Sequence, residues 1–209
     1  MTAAVTGVVV AGGRSTRFGD DDKALAEIGD QPMLRCVVAT LGTVTDEVVV
    51  NCRPDQRAAF QQALAGVDTE VRYALDEEPD EGPLAGLTTA LTAVDTEFAI
   101  VLGCDMPLAD GDALAALLER AQTTDADAVV PTTEGGPEPL HAVYRVESTR
   151  TAAQEALGDG RRSLHALLDG LRVETVPVGE GAVPAQSVTS VDTQARLREI
   201  REEIETENG

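Results

Sequence analysis

Short apolar runs alternate with helical patterns along the first half of the chain. Apolar runs rich in valine, alanine and leucine predict buried strands over residues 5–10, 48–51, 71–74 and 98–102. Apolar residues three or four positions apart predict helices over residues 33–41, 55–65, 84–93 and 112–122. This order is typical of an α/β fold in which right-handed crossovers join parallel strands.

The second half of the chain continues the pattern. It predicts strands over residues 128–130, 140–144 and 173–176, helices over residues 149–157, 163–168 and 193 to about 205, and a Gly- and Pro-rich loop over residues 132–139. The linker-like segment 179–186 is too short to separate two domains. We therefore expect one domain over residues 1–209, built on a mostly parallel central sheet.

Glycine-rich or polar segments follow the first four predicted strands. They are residues 11–23, Asn51, Asp76 and residues 103–107. Ligands of open α/β sheets bind beyond the carboxyl ends of the strands. If these strands are parallel, the four features meet at one edge of the sheet, which predicts a ligand site there.

The segment after the first strand combines glycines with cations. Gly12 and Gly13 allow the backbone to approach a phosphate group closely, and Arg14, Arg17 and Lys23 supply positive charge. Lys23 is the one lysine among 209 residues, so its place in this loop favours a function over chance. The spacing matches neither the P-loop nor the dinucleotide-binding motif, which disfavours kinases and dehydrogenases. A polyphosphate is the ligand that fits best.

Asp105 follows the apolar run 98–102 and precedes the dipeptide Met106-Pro107. A carboxylate beside bound phosphates suits Mg²⁺, or Mn²⁺ in its place, because Mg²⁺ takes one or two carboxylates and completes its shell with water and phosphate oxygens. The structural alternative is a turn or helix-capping aspartate. The chain has 2 histidines and lacks the serine-hydrolase and zincin motifs, whereas nucleotidyl transfer depends mainly on positioning, a metal and cations.

Charge and composition narrow the choice of partners. A formal net charge of −21 argues against nucleic acids and anionic membranes as partners, and an aromatic content of 2% offers few stacking platforms. The acidic residues are spread along the chain, which suggests a surface adapted to concentrated salt. We see no signal peptide, no membrane-spanning run and no C-x-x-C pair, so we expect a cytoplasmic protein.

Four segments together resemble the molybdenum cofactor guanylyltransferases, in matching order and over nearly the full chain. They are residues 10–23, 82–86, 104–107 and 139–145. The resemblance implies a three-layer, Rossmann-like nucleotidyltransferase fold. It also implies that GMP passes from Mg-GTP to the terminal phosphate of molybdopterin, with release of pyrophosphate, and that proteins delivering the cofactor and acceptor molybdoenzymes are transient partners.

The resemblance also implies roles for individual residues. The nucleotide-binding residues would be Val10, Ala11, Gly12, Gly13, Asn51 and Asp76. Lys23 would neutralise the phosphates, and Asp105 would hold the magnesium ion. From the residues themselves, we expect Arg17 to assist Lys23 in neutralising the triphosphate. The choice of guanine over another base comes from the resemblance and not from the residue pattern.

Several assignments stay open at this point. Gly82 and Gly86 either lie beside the guanosine or belong to a loop that leads into a helix. Arg161 and Arg162 either hold the acceptor phosphate or form a surface pair. Asp192 is either an acceptor for metal or pterin or, as we favour, a helix N-cap.

The role of His141 and the choice among related functions also stay open. His141 is better explained as a satisfied, semi-buried histidine in a strand than as a pterin contact. The alternative functions are transfer of a cytidylyl group to the same pterin, guanylylation of cobinamide phosphate, and nucleotide binding without turnover. The pair Gly12-Gly13 together with residues 82–86 favours the guanylyl branch.

Overall fold

The computed structural model describes residues 4–13, 18, 22–76, 81–179 and 181–207. Within them, ten strands are β1 Val5–Val10, β2 Glu27–Ile28, β3 Gln31–Pro32, β4 Glu47–Cys52, β5 Glu70–Leu75, β6 Phe98–Gly103, β7 Ala128–Thr133, β8 Gly136–Pro137, β9 His141–Arg145 and β10 Val173–Pro177. Seven α-helices are α1 Met33–Leu41, α2 Arg57–Ala63, α3 Pro83–Thr92, α4 Gly111–Thr123, α5 Val146–Gly158, α6 Leu164–Leu168 and α7 Gln194–Glu207. Short 3₁₀ turns cover Lys23–Leu25 and Ala185–Val188.

The strands form a mostly parallel central sheet, as predicted. Its order is β10-β7-β9-β6-β1-β4-β5, and β8 pairs with β7. β1 is parallel to β4 and β6, β4 is parallel to β5, and β7 is parallel to β10. β9 runs antiparallel between β6 and β7. The chain between β7 and β9 is too short for a parallel crossover, which takes a dozen or more residues, so it folds back through the β7–β8 hairpin.

Helices cover both faces of the sheet. Buried side chains of α1, α2 and α4 pack with Val9 on one face, and those of α3, α5 and α6 pack with Val8 on the other. Successive residues of a strand point to opposite faces, so the continuous valine runs of the sequence bury both faces at once. These three layers agree with the predicted α/β class.

Local sequence sets the starts of several helices. The Asp110 side chain accepts a hydrogen bond from the Ala113 amide at 2.8 Å, and Ser163 does the same for Ala166 at 3.2 Å. α3 begins with Pro83 directly after Gly82, whose φ of 90° lies in the region that favours glycine. Gly82 is therefore needed for the turn into α3.

The predicted elements agree with the structure apart from small shifts at their ends. The strand 5–10 and the helix 33–41 have the predicted bounds, and most others are one to three residues longer or shorter. The predicted loop 132–139 is partly wrong, because it contains the end of β7 and the whole of β8. The hairpin of β2 and β3 was not predicted either, because two-residue strands carry no periodicity. Among the described residues, no helix combines the length and the apolar character needed to cross a bilayer.

Candidate active site

A cavity of about 380 Å³ opens at the carboxyl ends of the central strands. Its lining includes the predicted residues Val10, Ala11, Gly12, Gly13, Lys23, Asn51, Asp76, Gly82, Gly86 and Asp105. The register explains this convergence, because Asn51 lies beside Val10 of β1 on one side and Ala74 of β5 on the other. Arg14 and Arg17 lie outside the described residues.

Lys23 is the central cation of the cavity. Its Nζ donates hydrogen bonds to Asp105 Oδ2 at 2.6 Å and to Asp192 Oδ1 at 2.8 Å. The side chain is mostly buried, with 10% of its surface exposed. The preceding residue, Asp22, caps the turn that carries Lys23 by accepting from the Ala24 amide at 3.1 Å. Lys23 and Asp105 are thus in direct contact, although they lie 82 positions apart in the sequence.

The environment of Lys23 keeps it charged. Burial favours the neutral amine and by itself lowers the pKa of Lys23. The Asp105 charge and the hydrogen bonds to Asp105 and Asp192 outweigh it, so the pKa of Lys23 is raised above its ordinary value of 10.5. Lys23 is therefore an ammonium ion throughout the physiological pH range, held between two carboxylates.

Asp105 is placed by the loop that follows β6. The Cys104 amide donates to the Val10 carbonyl at 3.2 Å, which continues the β1–β6 ladder past the end of the strand. A Cβ on Gly103 would lie 2.4 Å from Asp105 Oδ1, so a larger residue at this position would force the carboxylate to shift. The Asp105 carbonyl accepts from the Val191 amide at 2.8 Å, and this bond brings the neighbouring Asp192 to Lys23.

Asn51 and Asp76 form the opposite wall of the cavity. Asn51 Nδ2 donates to Asp76 Oδ1 at 2.7 Å, while the buried Asn51 Oδ1 has no hydrogen-bond partner among the described residues. A Cβ on Gly86 would lie 2.6 Å from Asn51 Oδ1, and a Cβ on Gly12 would lie 2.3 Å from Asp76 Oδ2. A buried acceptor without a partner is costly, which indicates a ligand with a donor at this point.

Two residues that the sequence analysis missed contact the glycine-rich turn from outside the cavity. Arg53 Nη1 donates to the carbonyls of Gly12 and Gly13, at 3.0 and 2.9 Å. Gln56 Nε2 donates to the Ala11 carbonyl at 3.2 Å. No motif predicts them, since their partners are backbone atoms 40 to 45 positions away in the sequence. The one available signal is that both residues follow the strand that ends near Asn51.

Thr193, and not Asp192, provides the cap expected at the start of α7. Its hydroxyl accepts from the Arg196 amide at 3.1 Å, while the Asp192 carboxylate accepts from Lys23. The cap interpretation favoured for Asp192 is therefore wrong. Asp and Thr both cap helices well, so the sequence alone could not decide between the two neighbours.

The paired arginines do not line the cavity. Arg162 forms an ion pair with Glu81, a lining residue, and its carbonyl would lie 3.2 Å from a Cβ on Gly82. Arg161 lies 3.7 Å from Asp159 and 3.8 Å from Asp169. Arg162 thus reaches the edge of the cavity through Glu81, whereas Arg161 pairs with carboxylates of its own region.

His141 is more buried than predicted, with no exposed surface. Its Nε2 lies 3.3 Å from Ser187 Oγ, and its Nδ1 has no partner among the described residues. Burial lowers the pKa of His141 to about 4, against raising contributions from Asp110 and the Ser187 backbone. The prediction of a semi-buried, satisfied histidine is therefore wrong in its degree of burial and only half right in its hydrogen bonding.

Two carboxylates are available to a metal ion. Asp105 and Asp192 meet at the same ammonium group, so the two carboxylates lie close to each other. Among the residues the structure describes, no group of three or more His, Cys, Asp or Glu side chains forms a metal site. This arrangement fits Mg²⁺, which uses few protein carboxylates together with water and phosphate oxygens.

Solved structures share this fold. Molybdopterin-guanine dinucleotide biosynthesis protein A from Archaeoglobus fulgidus superposes with a TM-score of 0.77, at 23% identity, over 97% of this chain and 99% of that one. A 4-diphosphocytidyl-2C-methyl-D-erythritol synthase from Anaerococcus prevotii gives a TM-score of 0.76 at 13% identity, over 98% of this chain and 100% of that one. The chain therefore has the fold of these nucleotidyltransferases.

Sequence relatives agree. A protein from Natronomonas pharaonis named "Probable molybdenum cofactor guanylyltransferase" is 43% identical over 202 residues, which cover 95% of this chain and 98% of that protein. One of the same name from Haloferax mediterranei is 39% identical, over 81% of this chain and 79% of that protein. The family model described as "MobA-like NTP transferase domain" matches residues 7–175. The chain therefore belongs to the MobA-like NTP transferase family and is a nucleotidyltransferase.

Proposed function

We propose that this enzyme transfers GMP from GTP to the terminal phosphate of molybdopterin and releases pyrophosphate. The contact of Lys23 with Asp105 carries the proposal, because a permanent cation and a carboxylate that could hold a metal ion meet in the cavity that Gly12 and Gly13 line. The names of the relatives support guanylyl transfer to this pterin.

The nucleoside would bind against Asn51 and Asp76. Both present acceptor oxygens, one of them buried without a partner among the described residues, beside the closely packed Gly12 and Gly86. Guanine and ribose offer the N–H and O–H donors that such oxygens need. The close packing of Gly86 against Asn51 Oδ1 supports a place for Gly86 beside the guanosine rather than a purely structural role in the loop.

The phosphates would lie at the turn of Gly12 and Gly13 and be neutralised by Lys23 and Arg17. Asp105 and Asp192 would hold Mg²⁺, which Mn²⁺ can replace. When bound, the ion supplies positive charge to the triphosphate as negative charge develops on the leaving group. Since Lys23 now bonds both carboxylates, we propose that it exchanges them for phosphate oxygens when GTP binds.

In the transfer step, an oxygen of the pterin phosphate attacks the α-phosphorus of GTP. A new P–O bond forms there, the bond from the α-phosphorus to the oxygen bridging to the β-phosphate breaks, and pyrophosphate leaves with that oxygen and its electron pair. A phosphate monoester has a second pKa near about 6, so the attacking group is already mostly ionised at neutral pH and needs no general base. Arg162, at the edge of the cavity, is the proposed contact of the acceptor phosphate. The ion pairs of Arg161 with Asp159 and Asp169 favour the surface-pair alternative for that residue.

We also propose that the reaction takes place in the cytoplasm, with cofactor-delivering proteins and acceptor molybdoenzymes as transient partners and with no nucleic acid or membrane involved. The three cysteines are free thiols, which is usual in a reducing compartment. The net charge of −21 supports the exclusion of nucleic acids and anionic membranes as partners, and an adaptation to concentrated salt.

A second candidate is another small-molecule nucleotidyl transfer on the same scaffold, since one protein of the same fold is named a 4-diphosphocytidyl-2C-methyl-D-erythritol synthase. Thermal unfolding with each of the four nucleoside triphosphates separates the candidates. A ligand at 100 times its Kd stabilises the folded state by about 2.7 kcal/mol, so GTP should raise Tm most. A larger shift with CTP would favour the cytidylyl alternative.

Pyrophosphate release with GTP, Mg²⁺ and molybdopterin tests the proposed reaction. We expect turnover by the wild type and a loss of about 10²–10³-fold or more in Lys23→Ala and in Asp105→Ala, because each removes charge stabilisation of the transition state. Asp112→Ala, at an exposed position in α4, is the control and should turn over normally. Full turnover in either site variant would contradict the assigned roles, and GTP binding without turnover in the wild type would favour a binding module.

A further inference from the structure

Gln56 connects the two ends of the loop that we assign to phosphate binding, residues 11–22. It is 3% exposed although polar, and it lies directly before α2. Its Nε2 donates to the Ala11 carbonyl at 3.2 Å, at the start of the loop, and to Asp22 Oδ2 at 2.6 Å, at its end. Both amide protons of one side chain thus hold the loop ends together.

Arg53 contacts the same loop and is joined to Gln56. Its Nη1 donates to the carbonyls of Gly12 and Gly13, and its Nη2 lies 4.0 Å from Asp22 Oδ2. Its own backbone amide donates to Gln56 Oε1 at 2.8 Å. The Arg53 side chain is 14% exposed, so most of its surface is shielded from water.

These contacts orient the groups that would meet a phosphate. In a trans peptide the C=O and N–H point in opposite directions, so the Gly12 carbonyl bound by Arg53 directs the Gly13 amide away from Arg53. Gly13 lines the cavity, whereas Arg53 and Gln56 do not. At the other end, Asp22 caps the turn that carries Lys23. The pair therefore touches both the amide turn and the support of the lysine.

We propose that Arg53 and Gln56 are positioning residues for the triphosphate: they clamp the start and the end of loop 11–22 at the separation at which the Gly12-Gly13 amides and Lys23 engage the phosphates together. This inference rests on the proposed function only in taking a nucleoside triphosphate as the ligand. It predicts that loss of the clamp weakens binding of the phosphates and leaves binding of the nucleoside unchanged.

Titration calorimetry with GTP and with guanosine tests the clamp. Gln56→Glu keeps the shape of the side chain but sets a carboxylate against Asp22 and the Ala11 carbonyl. We expect the Kd for GTP to rise about tenfold or more, equivalent to about 1.4 kcal/mol, and the Kd for guanosine to stay within about twofold of the wild type. Gln61→Glu, at an exposed position of α2, is the matched control and should leave both unchanged.

Two further variants keep the test decisive. Arg53→Lys retains the charge but not the planar fork that reaches two carbonyls, so it should also raise the Kd for GTP without raising the Kd for guanosine. Arg57→Lys, at an exposed position of α2, is its control. In the double variant Gln56→Glu with Asp22→Asn, the new amide at position 22 can donate to the new carboxylate at position 56. Asn also caps helices, so the turn that carries Lys23 keeps its cap, and the double variant should recover part of the GTP affinity. If Gln56→Glu fails to fold, Arg53→Lys decides the question.

Unchanged GTP affinity in folded Gln56→Glu and Arg53→Lys would overturn the clamp, as would an equal loss of GTP and guanosine binding. These results are distinct from a failure of the proposed function. If the wild type binds GTP but releases no pyrophosphate with molybdopterin, the transfer reaction is wrong while the comparison of GTP with guanosine still tests the clamp.

Discussion

Lys23 is the shared hydrogen-bond donor to two carboxylates. Its Nζ bonds Asp105 and Asp192 at 2.6 and 2.8 Å in a mostly buried position. Removal of one member of a buried ion pair leaves an uncompensated charge, which is strongly destabilising. The three side chains therefore form one unit, and each substitution within it should be read with a measurement of folding beside activity.

Gly86 offers a residue-level test of the nucleoside wall. Alanine is favoured over glycine in a helix by about 1 kcal/mol, yet a Cβ at Gly86 would lie 2.6 Å from Asn51 Oδ1 and displace it. We expect Gly86→Ala to raise the Kd for GTP about tenfold, equivalent to roughly 1.4 kcal/mol, as measured by calorimetric titration.

Gly158 provides the control for that substitution. It ends α5, and among the described residues a Cβ there would meet no heavy atom within 4 Å outside its chain neighbours and its own helix backbone. Gly158→Ala should therefore keep GTP affinity and leave Tm unchanged or higher. Wild-type GTP affinity in Gly86→Ala would show that Asn51 does not contact the nucleotide in the proposed way.

At the scale of elements, the strand ends were predictable and the direction of β9 was not. The valine runs and the residues that follow them place Asn51, Asp76 and Asp105 at one edge, because parallel neighbours end together. The antiparallel course of β9 depends on the length of its connection to β7 and on the β8 hairpin, which periodicity does not reveal. It completes the sheet beside β6 and brings Leu140 to the cavity.

Asp127 and Arg172 join the starts of β7 and β10. Asp127 accepts hydrogen bonds from the Arg172 amide, Nε and Nη2 at 3.1, 2.8 and 3.0 Å. The hydrogen bonds from Arg172 hold the pKa of Asp127 well below its usual range, against the opposing effect of burial. Since the Arg172 side chain is 67% exposed, solvent screening moderates the interaction.

Asp127→Asn should lower the free energy of unfolding by about 1–2 kcal/mol at pH 7. Because the folded pKa is depressed, this stabilisation is present above the unfolded pKa of about 3.9 and is lost as pH falls below it toward the folded pKa. Denaturant unfolding from pH 7 to pH 3 measures the difference between wild type and variant, which should shrink below about pH 4. Asp125→Asn, exposed two positions earlier, is the control, and a difference independent of pH would contradict the charge-based account.

At the scale of the whole molecule, the site is assembled from segments at both ends of the chain. Lys23 is 82 positions from Asp105 and 169 from Asp192. α7 contributes to the same assembly, as Leu197 and Ile200 pack with Phe18 of the glycine-rich segment and with Val191. Such packing against the glycine-rich segment could not be inferred from the weakly amphipathic, acidic sequence of α7.

The sequence was sufficient for the sheet, the glycine-rich turn and the strand-end polar residues, because periodicity and strand order determine them. It was insufficient for Arg53 and Gln56, whose partners are backbone carbonyls without a sequence signature. It was also insufficient for Asp192, which competes with Thr193 for the same capping position. Residues that hold the loop in place are thus harder to predict than those that would touch the ligand.

A crystal structure with GTP and Mn²⁺ tests the central claim most directly, because anomalous scattering locates the ion independently of the nucleotide. We predict the ion between the triphosphate and the carboxylates of Asp105 and Asp192, with Lys23 Nζ bonded to phosphate oxygens in place of at least one carboxylate. An ion bound away from Asp105, or a triphosphate that does not contact Lys23, would contradict the account.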